Sequence, residues 1–190
     1  MPSSVLSKAA LAGGVAALCV ALLLALRLLQ PDPETPPPPA QQAFTAAVVQ
    51  GQEGMDQHPN ELKRRQLRRL RDAAVCAAVP DRLVSDWRGR VGEIALDRDG
   101  QATLSVELDH GIRFATHDDA GDDEQAHTLL PEGSPVYQAL IDLAEGDEVR
   151  FSGELLPGGD GCLDERSATF SGAMSSPSWL MRFTSIAPDA

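Results

Sequence analysis

The sequence predicts a mainly β fold: a Greek-key barrel of five or six strands with one short helix, preceded by a neck helix and an N-terminal transmembrane helix. Three observations predict it. Ala9 to Leu26 is a run of 18 uncharged residues closed by Lys8 and Arg27. From Trp87 onward, apolar residues recur with a period of two between Gly- and Asp-rich turns. Between these strands, Ser134 to Ala144 has helical spacing instead.

The first run is long enough to cross most of a bilayer as a helix, at about 1.5 Å per residue against a core of about 30 Å. Residues 1–8 then form a cytoplasmic N-terminus and residues 9–29 a signal-anchor helix. A cleaved signal peptide needs a shorter apolar region and a small-x-small site, and Leu26-Arg27-Leu28-Leu29-Gln30-Pro31 has none. A lipoprotein signal ending at Cys19 is disfavoured by Leu18 before it and by the apolar run beyond it. The N-terminal amine and Lys8 stand against Arg27, Asp32 and Glu34, a slight bias toward a cytoplasmic N-terminus. The expected location is a bacterial inner membrane, crossed once, with the C-terminal domain in the periplasm.

Residues 30–57 read as a Pro-rich flexible stalk. Pro31 to Pro39 favours extended polyproline II, and residues 40–57 are rich in Gln, Gly and Ala and read as loose. Residues 58–79 read as a basic neck helix. Asn60 opens it, Pro80 ends it, and Leu62, Leu67, Leu70, Ala74 and Ala77 recur near helical spacing. Lys63, Arg64, Arg65, Arg68, Arg69 and Arg71 make a basic interaction patch for anionic lipid or nucleic acid, or a solvated helix face. Docking onto the acidic module that follows is a third reading.

Residues 80–187 form the barrel domain. Trp87 to Leu96 is one strand, Asp99-Gly100 a hairpin turn, and Ala102, Leu104, Val106 and Leu108 alternate with polar residues in the next. His110-Gly111 turns into Ile112 to Thr116. Ser134 caps the helix and Pro135 occupies its first position. Glu148 to Leu155, Ala168 to Met174 and Leu180 to Ile186 complete the strands. Ser152-Gly153 and Ser171-Gly172 read as strand residues at tight barrel corners.

Three strands, a helix and further strands is the order of an OB-fold. Trp87-Arg88-Gly89-Arg90-Val91-Gly92-Glu93-Ile94, Gly100 to Leu108, and Gly146-Asp147-Glu148-Val149-Arg150-Phe151-Ser152-Gly153 resemble bacterial OB-like modules of the tRNA-anticodon-like type, over about residues 85–187. The resemblance implies kinship in fold with nucleic-acid binders. The residues argue otherwise. Pro80 to Ala190 carries 22 acids, 8 Arg and no Lys, and the whole chain has a net charge of −12. Phosphate binding relies on Lys and Arg, and OB binding faces stack bases on exposed aromatics. The aromatics here (Trp87, Phe114, Tyr137, Phe151, Phe170, Trp179, Phe183) mostly occupy positions suited to a core.

Among candidate sites, Cys76 and Cys162 form a disulfide if the compartment is oxidising. The bridge would close an 86-residue separation and stabilise by roughly 4 kcal/mol in the chain-entropy model. The alternative is a buried Cys76 and an unrelated loop thiol. The acidic stretch 118–124, flanked by His117 and His127, offers oxygens to a cation, with a solvated loop as the simpler reading. No catalytic motif, metal-ligand spacing or cofactor fingerprint occurs. The expected function is a membrane-anchored, extracytoplasmic, non-enzymatic module that binds a protein or small ligand. The alternative is a cytoplasmic nucleic-acid-binding module that uses the basic neck helix.

Overall fold

The alternating pattern closes on itself. In the computed structural model, which describes residues 36–57, 60–116, 128–159 and 162–189, five strands form a closed barrel. They are β1 (Leu83–Leu96), β2 (Ala102–Leu108), β3 (Ile112–Ala115), β4 (Glu148–Leu155) and β5 (Ser178–Pro188), in the order β1-β2-β3-β5-β4. All neighbouring pairs are antiparallel except β3 with β5. This order, with a short helix between β3 and β4, fits an OB-like barrel.

Closure depends on β1, which begins at Leu83 rather than Trp87. Its first half pairs with β4 and its second half with β2. Register shifts between Val84 and Trp87 and between Val91 and Glu93 bend it around the barrel, as bulges do. The β1–β2 turn is held by Asp97, whose Oδ1 accepts from the backbone N–H groups of Asp99 and Gln101. Gly153 stands where β4 crosses β5. A Cβ there would run into the Arg182 carbonyl oxygen and the Met181 side chain, so only glycine fits. The interior holds Val84, Trp87, Val91, Leu104, Val106, Ile112, Phe114, Val149, Phe151, Leu155, Met181, Phe183 and Ile186, all buried.

Among the described residues, four α-helices accompany the strands: α1 (Pro39–Gln57), α2 (Glu61–Ala78), α3 (Pro135–Leu140) and α4 (Phe170–Ser175). α2 is capped by Asn60, whose side chain accepts from the Leu62 and Lys63 N–H groups. α3 is capped by Ser134, with Pro135 at its start.

Two expectations are corrected. Residues 39–57 are not part of a loose stalk; they form α1, because Phe44, Ala47 and Val48 share one face and bury it. Phe44 sits with its ring 5.3 Å from Trp87, 5.5 Å from Phe114 and 4.8 Å from Trp179, completing the barrel's aromatic core. Gln41 docks the same helix to β1: its amide donates to the Arg88 carbonyl and accepts from the Arg88 N–H. β2 pairing starts only at Arg90, so Gln41 occupies the stretch of β1 edge that β2 leaves open.

The second correction concerns Ala168 to Met174, expected as a strand. Thr169 accepts from the Gly172 N–H and starts α4, so Ser171 and Gly172 are helical. Its short length and buried Ala173 and Met174 pack it against α1. The segment 9–29, expected as the anchor, and the acidic stretch 118–124 with His117 and His127 lie outside the described residues. Among the described residues, no helix is long and apolar enough to cross a membrane.

Candidate ligand-binding cleft

A cleft of about 630 Å³ opens between α2 and the segment that links β4 to α4. Arg65, Arg68, Arg69 and Asp72 form its helical wall, Gly158, Gly159 and residues 162–165 the opposite one, with Phe170 and Trp179 alongside.

Two cross-links set the spacing of these walls. The first is covalent. Cys76 and Cys162 form a disulfide with their Cα atoms 5.9 Å apart, and both residues line the cleft. The second is ionic. Arg71 is buried, with its side chain 1% exposed, and lies beneath the cleft. Its guanidinium donates to Glu165 Oε2 at 2.8 Å, to Asp72 Oδ1 at 2.5 Å and to the Ala173 carbonyl, and lies 5.6 Å from the Trp179 ring centroid. A buried guanidinium needs such a set of acceptors, since an unpaired charge in the interior is strongly destabilising.

Backbone pairing presents Glu165 to Arg71. Glu165 forms an isolated bridge with Trp179, Arg166 N–H donates to the Ser178 carbonyl, and Leu180 N–H donates to the Asp164 carbonyl. The segment 164–166 thus lies along the start of β5.

The six residues of the basic patch divide. Arg71 is internal and structural. Arg68 is half-engaged: it reaches Glu165 at 3.4 Å and Asp72 at 3.8 Å, with its guanidinium 5.5 Å from the Phe170 ring centroid. Among the described residues, Arg65 forms an ion pair only with Glu61, one turn back and exposed. Lys63 donates to Gln66. Arg64 has partners of its own and lies off the cleft. Arg69 lines the cleft and is exposed, with no ion-pair partner among the described residues. The helix therefore combines docking residues and exposed cations, at spacings that a linear charge count cannot separate.

A second hollow, about 220 Å³, lies over β2, β3 and β5, with Ser105, Arg113, Arg166 and Trp179 among its lining residues. Arg113 there is engaged by Glu93 at 3.1 Å and by Ser105. Its Trp179 is buried, as are Trp87, Phe114, Phe151 and Phe183. This strand face therefore lacks the exposed aromatic platform of an OB nucleic-acid site.

Among the described residues, no group of three His, Cys, Asp or Glu side chains could hold a metal ion. His58, His117, His127 and the acids at 118–124 lie outside those residues. His110 sits in the β2–β3 turn at φ 63°, where its carbonyl accepts from Gln52.

Reading the sequence missed Glu165, Asp72 and Phe170 as parts of one site. Asp164-Glu165-Arg166 directly follows Cys162-Leu163, so the disulfide was the one signal that could have led to them. No family model matches the chain, and neither a curated protein nor a solved structure matches it.

Proposed function

We propose that this chain is a membrane-anchored module whose OB-like domain, of the tRNA-anticodon-like type, is displayed outside the cytoplasm. There it binds a protein or small ligand without catalysing a reaction. The observation that carries this reading is the Cys76–Cys162 disulfide. Such bonds persist in oxidising compartments and are rare in the reducing cytosol. The uncharged run 9–26 supplies the anchor, and the positive-inside bias sends the domain across.

The alternative, a cytoplasmic nucleic-acid-binding module built on the neck helix, has less support. Arg71 is withdrawn into the interior and Arg68 faces Glu165. The remaining cations sit beside a domain whose net charge repels an extended phosphate backbone, which would have to run over the acidic surface as well as the cleft.

Alkaline phosphatase fused after Ala190 tests the reading. High phosphatase activity, with Cys76 and Cys162 protected from thiol labelling until reductant is added, is the expected result. An inactive fusion with a cytoplasmic C-terminus and freely labelled thiols would overturn it.

A further inference from the structure

We propose that the cleft between α2 and the wall formed by Gly158, Gly159 and residues 162–165 is the ligand site of this module, and that it takes a small soluble polyanion bearing carboxylate or phosphate groups. The inference rests on the displayed-module reading and gives its ligand a chemical class. The cleft's 630 Å³ falls within the range of small-molecule sites, roughly 300–1,000 Å³.

Its charges are not balanced as a simple count implies. The lining holds Arg65, Arg68 and Arg69 against Asp72, Asp164 and Glu165. Each of those acids has a partner outside the lining, although Asp72 and Glu165 share the single charge of Arg71 and Glu165 Oε1 is buried with no hydrogen-bond partner among the described residues. Arg71 takes Asp72 at 2.5 Å and Glu165 at 2.8 Å, and Arg166 takes Asp164 at 2.8 Å. The cleft cations are left with weaker partners or none: 3.4 Å and 3.8 Å contacts for Arg68, exposed Glu61 for Arg65, and none for Arg69 among the described residues.

Arg65 and Arg69 are four residues apart on one helix, so they lie one turn apart on the same face, and both line the cleft. Guanidinium groups bind carboxylate and phosphate bidentately. On the opposite wall, open space surrounds the missing Cβ of Gly159, while Gly158 lies against the Leu163 backbone, where a Cβ would clash. The disulfide and the buried Arg71 contacts hold the two walls in place before any ligand arrives, which lowers the ordering cost of binding.

The test is calorimetric titration of the full chain in phosphatidylcholine nanodiscs at low salt, with inorganic pyrophosphate and citrate as probes. The expected result is saturable one-site binding. Arg69→Ala weakens it about tenfold, the loss of a charge-assisted hydrogen bond. Arg69→Lys falls between the two, keeping the charge without the fork. Arg90→Ala, on β1 and outside the cleft, leaves it unchanged.

Three results would overturn the proposal: no saturable binding of either probe, equal weakening by Arg69→Ala and Arg90→Ala, or displacement of pyrophosphate by phosphatidylserine added to the nanodisc. The last would reassign the site to a lipid headgroup. Each leaves the displayed module standing if the fusion reports an outside C-terminus, so the two readings fail separately.

Discussion

Arg71 is the residue whose role changes most between sequence and structure. In the sequence it is one cation among six in twelve residues; in the fold it is buried and bonded to Glu165, Asp72 and the Ala173 carbonyl. Truncating one partner of a buried ion pair strands the other, a cost of about 3–5 kcal/mol. Arg71→Ala is therefore expected to destabilise the domain by that amount in urea unfolding. Adding Glu165→Gln should recover part of the loss, because the stranded carboxylate is removed. Gly153 makes a second case. Alanine there must displace the Arg182 backbone or the Met181 side chain, and overpacking of this kind costs about 1–3 kcal/mol. An unchanged unfolding midpoint for Gly153→Ala would refute the crowding of β4 against β5.

At the scale of elements, α1 changes where the domain begins. Phe44 contributes to the same aromatic cluster as Trp87, Phe114 and Trp179, so α1 belongs to the barrel core. A chain starting at Gln57 loses that ring and the Gln41 contacts to β1. It is expected to lose cooperative thermal unfolding, whereas a chain starting at Pro36 keeps it. Phe44→Ala in the full chain is the milder version, expected to cost about 3–5 kcal/mol. Circular dichroism melts of the three variants make the comparison. The helix was legible in part. Ala40, Phe44, Ala47, Val48 and Gly51 follow helical spacing, but a face of so few large side chains among Gln, Gly and Ala resembles a linker. α4 was illegible for another reason. Six residues cannot show a helical period, and Thr169 as a cap is visible only once the Gly172 N–H is known to point at it.

For the whole molecule, the disulfide joins the neck helix to the barrel across 86 residues. Reduction frees that constraint in the unfolded chain and is expected to cost roughly 4 kcal/mol. Differential scanning calorimetry with and without reductant measures it, and an identical melting temperature would show that the bridge adds nothing. Opening the bridge also removes one of the two cross-links beside the cleft. Reduction is therefore expected to weaken pyrophosphate binding in the titration above as well as to lower the melting temperature.

By itself, the sequence determined the pattern of the five barrel strands and the caps at Asn60 and Ser134, together with the uncharged run near its start, while placing a further strand at Ala168 to Met174 where α4 stands. These are local features: alternation, helical spacing and capping side chains act within a few residues, so a linear reading reaches them. Tertiary structure decided between the two sequence readings of Cys76 and Cys162 in favour of the bridge, and it alone decided which arginine goes inside, which face of residues 39–57 completes the core, and where a cleft is left open. Those outcomes depend on partners distant in the chain, such as Gln41 with Arg88, 47 residues away, and Arg71 with Ala173, 102 residues away. No window along the chain contains both members of such a pair. Barrel closure brings them together, and with them the two walls of the proposed site.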